Sequence, residues 1–249
     1  SLCNLSAAPE NYDPLAYRTG FAAVQTLGRD IYRSLSALQK QFVSPEAISL
    51  ETSARPSIRP LYQEDGAEVI RGVWISRGFI DLINQLAHAK AIDRLHKGYL
   101  RRYMELIEKG GDHVPPLPDK DTPEFWTDDV LNEQRSNFNS IAGALVGINL
   151  AHHYLGHYQK YGRLLENSGG NPVPLNDLLT RSEWEESYLW GIQNAMNAGC
   201  LIEGSLPFFE SFSKMKHRPS WAAFFLPERF DFAHMRKDMV KLQRQFLRD

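Results

Sequence analysis

The stretch "LAHHYLGHYQKY", residues 150 to 161, places His152, His153 and His157 within six positions. Imidazole is the side chain most often used to bind a metal. On an α-helix, residues four apart are separated by only about 40° of rotation, so His153 and His157 would share a face. Two neutral imidazoles one turn apart can bind one Zn²⁺ if a third ligand arrives from another helix and water takes the fourth place. His152 would point about 100° away from His153, and it reads better as a surface histidine or a support for a ligand. The missing ligand should be a carboxylate or histidine, and "RSEWEESYLWGIQNAMNAG" offers Glu183, Glu185 and Glu186 on a later helix. Glu183 is the first choice. It borders the apolar stripe of Trp184, Tyr188, Ile192, Ala195 and Met196, with the Ser187 hydroxyl one turn on, where it could support a ligand histidine. Glu186, one turn away, is the alternative. Without a metal, these glutamates are an acidic first turn favoured by the helix dipole, and the histidines are core or surface groups.

Helices must hold such a site, and the pattern supplies them. Leu15, Phe21, Val24, Leu27, Ile31, Leu35 and Leu38 recur every three or four residues, which predicts an amphipathic helix between Pro14 and Phe42. "AEVIRGVWISRG" carries Val69, Ile70, Val73, Trp74 and Ile75 in a β-rich run closed by Gly78, the best strand candidate. A helical pattern follows from Phe79 to Lys109 and is broken by "GGDHVPPLPDKDTPEFW", which reads as a surface insertion. From Thr127 the pattern is helical again and most apolar at residues 141 to 151, so the histidines fall at the end of a helix buried on most sides. "NSGGNPVP", residues 167 to 174, reads as a loop. Ser182 and Glu185 have capping-box spacing for a helix ending at Gly199, and two more helices fit 203 to 215 and 228 to 247. The fold class expected is α+β, a mainly helical body with a small β-sheet.

The chain has 249 residues, 43% of them hydrophobic, enough for one large core. Its 28 basic and 30 acidic residues are spread along the sequence, so no basic face for nucleic acid can be inferred, and nucleic acid is not an expected partner. The longest apolar runs fall short of the roughly 20 residues needed to span a bilayer. Cys3 and Cys200 are too few for a disulfide framework. The opening "SLC" would suit the remnant of a lipoprotein acylation site, which points to an extracytoplasmic or cell-envelope location with a lipid anchor upstream.

Four segments together resemble the M48 family of gluzincin metallopeptidases, the group of Ste24- and HtpX-like proteases. "VWISRGFIDLIN" is similar to the family's strand and following "SRGLIDLL" helix start. "LAHHYLGHYQKY" is similar to its "LAHEIGHVxxxH" helix, and "EWEESYLWGIQNAMNAG" to its "ExEADxxGxxLMxxAG" helix. The stretch from Phe208 to Met239 is similar to its closing segment. The likeness covers most of residues 69 to 240, and only the histidine helix is a specific motif. It implies a single zincin-like domain over residues 1 to 249, with an insertion around 90 to 135. It also implies Zn²⁺ held by His153, His157 and Glu183, and a peptide or unfolded protein segment as partner. The family's general base, the glutamate after the first histidine, is replaced by Tyr154, and Ser187 replaces the family's aspartate. A phenol with an ordinary pKa near 10 is a poor base at neutral pH. Val146, Asn149, Leu150 and Lys160 offer no carboxylate on the same face.

The residues therefore leave three readings open: a divergent zinc peptidase with weak or no activity, a non-catalytic peptide- or protein-binding module on the peptidase scaffold, and a helical domain without metal. Other histidine spacings lead nowhere. His88 has Ile92 four positions on, so "LAHAKAID" lacks a ligand pair. Asp93/His96 and Asp231/His234 give half of a di-iron carboxylate pattern without the ExxH pairs and bridging glutamates that such a site needs.

Overall fold

The computed structural model describes residues 17–46, 48–166 and 172–248. Cys3, the "SLC" stretch and most of the 167 to 174 loop lie outside them. The fold is α+β and mainly helical. Eight α-helices and one three-stranded sheet are present among the described residues: α1 (Tyr17–Ser34), β1 (Ile48–Glu51), β2 (Ile58–Asp65), β3 (Glu68–Ser76), α2 (Arg77–Asp93), α3 (Tyr99–Lys109), α4 (Asp128–Tyr154), α5 (His157–Glu166), α6 (Arg181–Asn197), α7 (Ser205–Ser213) and α8 (Phe232–Phe246). None of these helices is long and apolar enough to cross a membrane.

The predicted strand is β3, the centre of the sheet. It pairs antiparallel with β2, with Ile58 opposite Ile75, and parallel with β1, with Ile48 opposite Val73. Ser76 ends the strand and starts the next helix. Its hydroxyl accepts from Phe79 N (3.0 Å) and Ser57 N (2.9 Å) and donates to Arg55 O (2.7 Å), so one side chain ties the strand end to the N-terminus of α2.

Helix α4 is the axis of the molecule. Every residue from Ile141 to Ala151 is buried, packed among α1, α2, α6 and the sheet. It crosses α6 at a pair of glycines. A Cβ on Gly147 would fall 2.3 Å from Gly191 O, and one on Gly191 would fall 2.4 Å from Ile148 N, so the crossing exists only because both lack a side chain. This close approach brings the end of α4 against α6, where the candidate site lies.

The helix predicted from Phe79 to Lys109 is two helices. The chain turns between Asp93 and Tyr99, and the Asp93 carboxylate accepts from Leu100 N (3.0 Å) at the start of α3. A short acidic side chain that competes for a backbone N–H favours a new start over helix continuation. The segment after α3 is bound to the body: Tyr103 donates to Pro115 O (2.7 Å), and His88 donates to Phe125 O (2.7 Å) from inside α2. His88, set aside in the sequence for want of a partner ligand, has a structural role here.

Candidate functional site

The histidine stretch does not form one helix. Helix α4 ends at Tyr154, and α5 begins at His157. Between them Leu155 N bonds to Ala151 O (2.9 Å), Gly156 N bonds to His153 O (3.2 Å), and Gly156 takes φ +79°. This is the left-handed glycine stop common at helix C-termini, and it redirects the chain before His157. The expectation that His153 and His157 share a helical face is thereby corrected: they stand on different helices. The signal was in the sequence, because a glycine two residues after a long apolar helix is a stop.

The residue brought to His157 is His152. Their Nδ1 atoms lie 3.1 Å apart, both rings are buried, and the ring planes are tilted by 48°. His152, read from the sequence as a surface or supporting residue, is a core residue. At that distance one Nδ1 carries a proton and donates to the other, a bond between two neutral imidazoles. Burial lowers the pKa of His152 well below its ordinary value, and the neighbouring His157 and His153 lower it further, against the attraction of Glu183. Burial also lowers His157, opposed by Glu183 and Glu186.

His153 faces the sheet. Its Nε2 donates to Gly72 O of β3 (2.7 Å), leaving Nδ1 as a buried acceptor without a hydrogen-bond partner. Burial takes its pKa down to about 4, with the Gly72 bond opposing and Arg71 adding to the shift. Tyr154 faces α6. Its hydroxyl accepts from Asn194 Nδ2 (2.9 Å), and burial raises its pKa further above the phenol range although that bond opposes the shift. A base is therefore no easier to obtain from this phenol in the fold than in water.

Glu183 is committed elsewhere. Helix α6 opens with a capping box formed by Thr180 and Glu183, two residues earlier than the predicted Ser182/Glu185 box. Thr180 has the extended backbone of an N-cap (φ −68°, ψ 162°), and the helix start selects which three-residue spacing is used. Glu185 instead pairs with Arg181 (2.7 Å). Glu183 Oε2 accepts from Thr180 N (2.8 Å), Thr180 Oγ1 (2.9 Å) and the Tyr161 hydroxyl (2.9 Å), and Oε1 accepts from Lys160 Nζ (2.7 Å). Partial burial alone would raise its pKa, but the bonds from Lys160, Thr180 and Tyr161 bring it down to about 2. Lys160 and Tyr161 were not foreseen as partners; once α5 is turned by Gly156, they meet the start of α6. Glu186 is exposed.

The set implied by the resemblance is thus not assembled around one point. His153 bonds to the sheet, His157 to His152, and Glu183 to Thr180, Tyr161 and Lys160. Among the described residues no group of three or more His, Cys, Asp or Glu side chains could hold a metal ion. The two DxxH pairs are structural as well. Asp231 accepts from His234 N (3.0 Å) as the N-cap of α8, and His96 faces Glu124 (3.4 Å).

A second region shows open space. Two cavities, of about 720 and 880 Å³, meet at Arg218 between the start of α6 and the chain from Ser213 to His234. Arg218 donates to Pro227 O (3.1 Å) and lies 5.2 Å over the Phe230 ring. Trp184, Tyr188 and Phe232 add aromatic walls. No protein-family model, curated protein or solved structure matches the chain.

Proposed function

We propose that this chain is a non-catalytic binding protein built on a scaffold like that of the gluzincin peptidases, and that it holds a peptide or an unfolded protein segment. The observation that carries the reading is the state of Glu183: both carboxylate oxygens accept bonds from α5 and from its own cap, so it is not free to act as ligand or base. Tyr154 stands at the sequence position of the family's base with its phenol bonded to Asn194, and loss of a general base commonly costs on the order of 10²- to 10⁴-fold in rate. The groove meeting at Arg218 is the site proposed for the segment, because its aromatic walls and guanidinium suit an extended chain with polar groups.

One feature favours a second reading, in which the protein holds zinc without hydrolysis. The His152 and His157 Nδ1 atoms are about as far apart as two nitrogens bound to one Zn²⁺ at about 2.0 to 2.1 Å.

The test is an assay of unfolded-protein cleavage with and without added zinc, together with elemental analysis of protein purified without chelator. Cleavage should be absent in both conditions, while an immobilised library of short peptides retains the protein through the groove and releases Arg218→Ala. Cleavage abolished by Glu183→Gln would overturn the proposal. Stoichiometric zinc lost in His152→Ala, without cleavage, would establish the second reading.

A further inference from the structure

We propose that the outer face of α8 is a docking surface for an anionic phospholipid bilayer. Lys237, Lys241 and Arg244 fall within about 60° of one another around the helix, Arg236 flanks them, and Arg248 follows in the turn just past the helix end. Within the helix the row extends about 12 Å from Arg236 to Arg244. All five are exposed, and no carboxylate lies within 4.0 Å of any of them among the described residues. The opposite side of the helix is fixed to the body: Met235 and Met239 are buried, and Asp238, the acidic residue within α8, is turned off the row to accept from Tyr188 (2.6 Å). The chain as a whole carries a net charge of −2, so five uncompensated cations on one face are a local segregation of charge.

Two observations choose a bilayer over a nucleic acid. Half-buried Val240 lies between Arg236 and Arg244 around the helix, and Leu247, the C-cap residue beside Arg248, is 76% exposed. Apolar side chains between long basic ones suit an interface where lipid headgroups meet acyl chains. The aromatic residue near this end, Phe246, lies on the other side of the helix from the row, so no ring is placed to stack on bases. None of the five cations lines the groove at Arg218, which meets α8 at Phe232 and His234, so the inference stands independently of the function proposed above.

Flotation of the full chain with vesicles tests it. Binding is expected to vesicles containing about one-third phosphatidylglycerol, not to pure phosphatidylcholine, and should be lost near 0.5 M salt, where charge is screened within about 4 Å. Each cation near an anionic leaflet strengthens binding about fivefold, so Lys237→Glu/Lys241→Glu/Arg244→Glu should weaken it by at least about a hundredfold. Reversal at the scattered exposed residues Lys97, Lys109 and Lys216 should weaken it far less. The proposal is overturned if anionic vesicles are not bound, if both triple variants bind alike, or if short duplex DNA is bound at lower concentration than lipid.

Discussion

The α4–α5 corner and the outer face of α8 both concentrate ionisable side chains, and the fold treats them oppositely. At the corner, burial keeps three histidines neutral, and their ring nitrogens bond mainly to one another and to the backbone. Along the outer face of α8 the cations are exposed, and among the described residues no carboxylate lies within 4.0 Å of them. A polar group in the interior must be answered locally or it destabilises the fold, whereas a surface charge can await a partner from outside. A histidine cluster that looks like a ligand set can therefore be a device of the core, and an unremarkable terminal helix can be the part that meets another molecule.

The buried corner is most vulnerable at the α4–α6 crossing. Gly191→Val would drive side-chain atoms into the backbone of α4, and a loss of about 3 kcal/mol or more in urea unfolding is expected, with failure to fold as its limit. A loss below about 1 kcal/mol would mean that the corner does not depend on that contact. The second test is pH. The unfolded chain takes protons onto its histidines near pH 6.5, while folded His153 resists until about 4, so between these values the unfolded state binds more protons. Stability should be full above about 6.5 and fall as pH drops toward 4. His153 alone contributes about 3 kcal/mol of the loss, and His153→Gln should flatten the profile.

Smaller effects are expected at the start of α6 and along α8. Glu183→Gln should cost about 1 kcal/mol at neutral pH through the weakened cap. The sign of its pH dependence places it in a separate window: a carboxylate held at about 2 contributes stability above about 4.5 that is lost as pH falls toward 2. The smallest effect is expected at α8, where reversing Lys237, Lys241 and Arg244 should change stability by no more than about 0.5 kcal/mol, read as an unchanged urea midpoint. A large loss there would show that the row serves the fold after all.

Particular elements show how much could be read before folding. The run from Val69 to Ile75 gave the central strand because β-branched residues in a short apolar run have few alternatives. Gly199 marked the end of α6, where it takes φ +87°. Missed was the effect of Gly156, although a helix stop there is a local event. Four-residue spacing puts two histidines on one face only while the helix continues, and Gly156 favours ending it. The Thr180/Glu183 box was missed for a related reason. Two overlapping spacings were present, and Lys160 and Tyr161 reinforce the earlier one from another helix.

The mainly helical α+β class, the buried character of residues 141 to 151 and the lack of a carboxylate immediately after His153 follow from residue type and local period. What the side chains touch depends on contacts between elements far apart in the chain. His153 meets Gly72 across 81 positions, Tyr154 meets Asn194 across 40, and Glu183 meets Lys160 across 23. Periodicity places a residue on a face of its own element. Its partner is set by how elements pack, here by two glycines that let α4 and α6 touch and a third that turns α5. The same holds for charge. A balanced total of acids and bases leaves their distribution open, and packing turned the basic side of α8 outward.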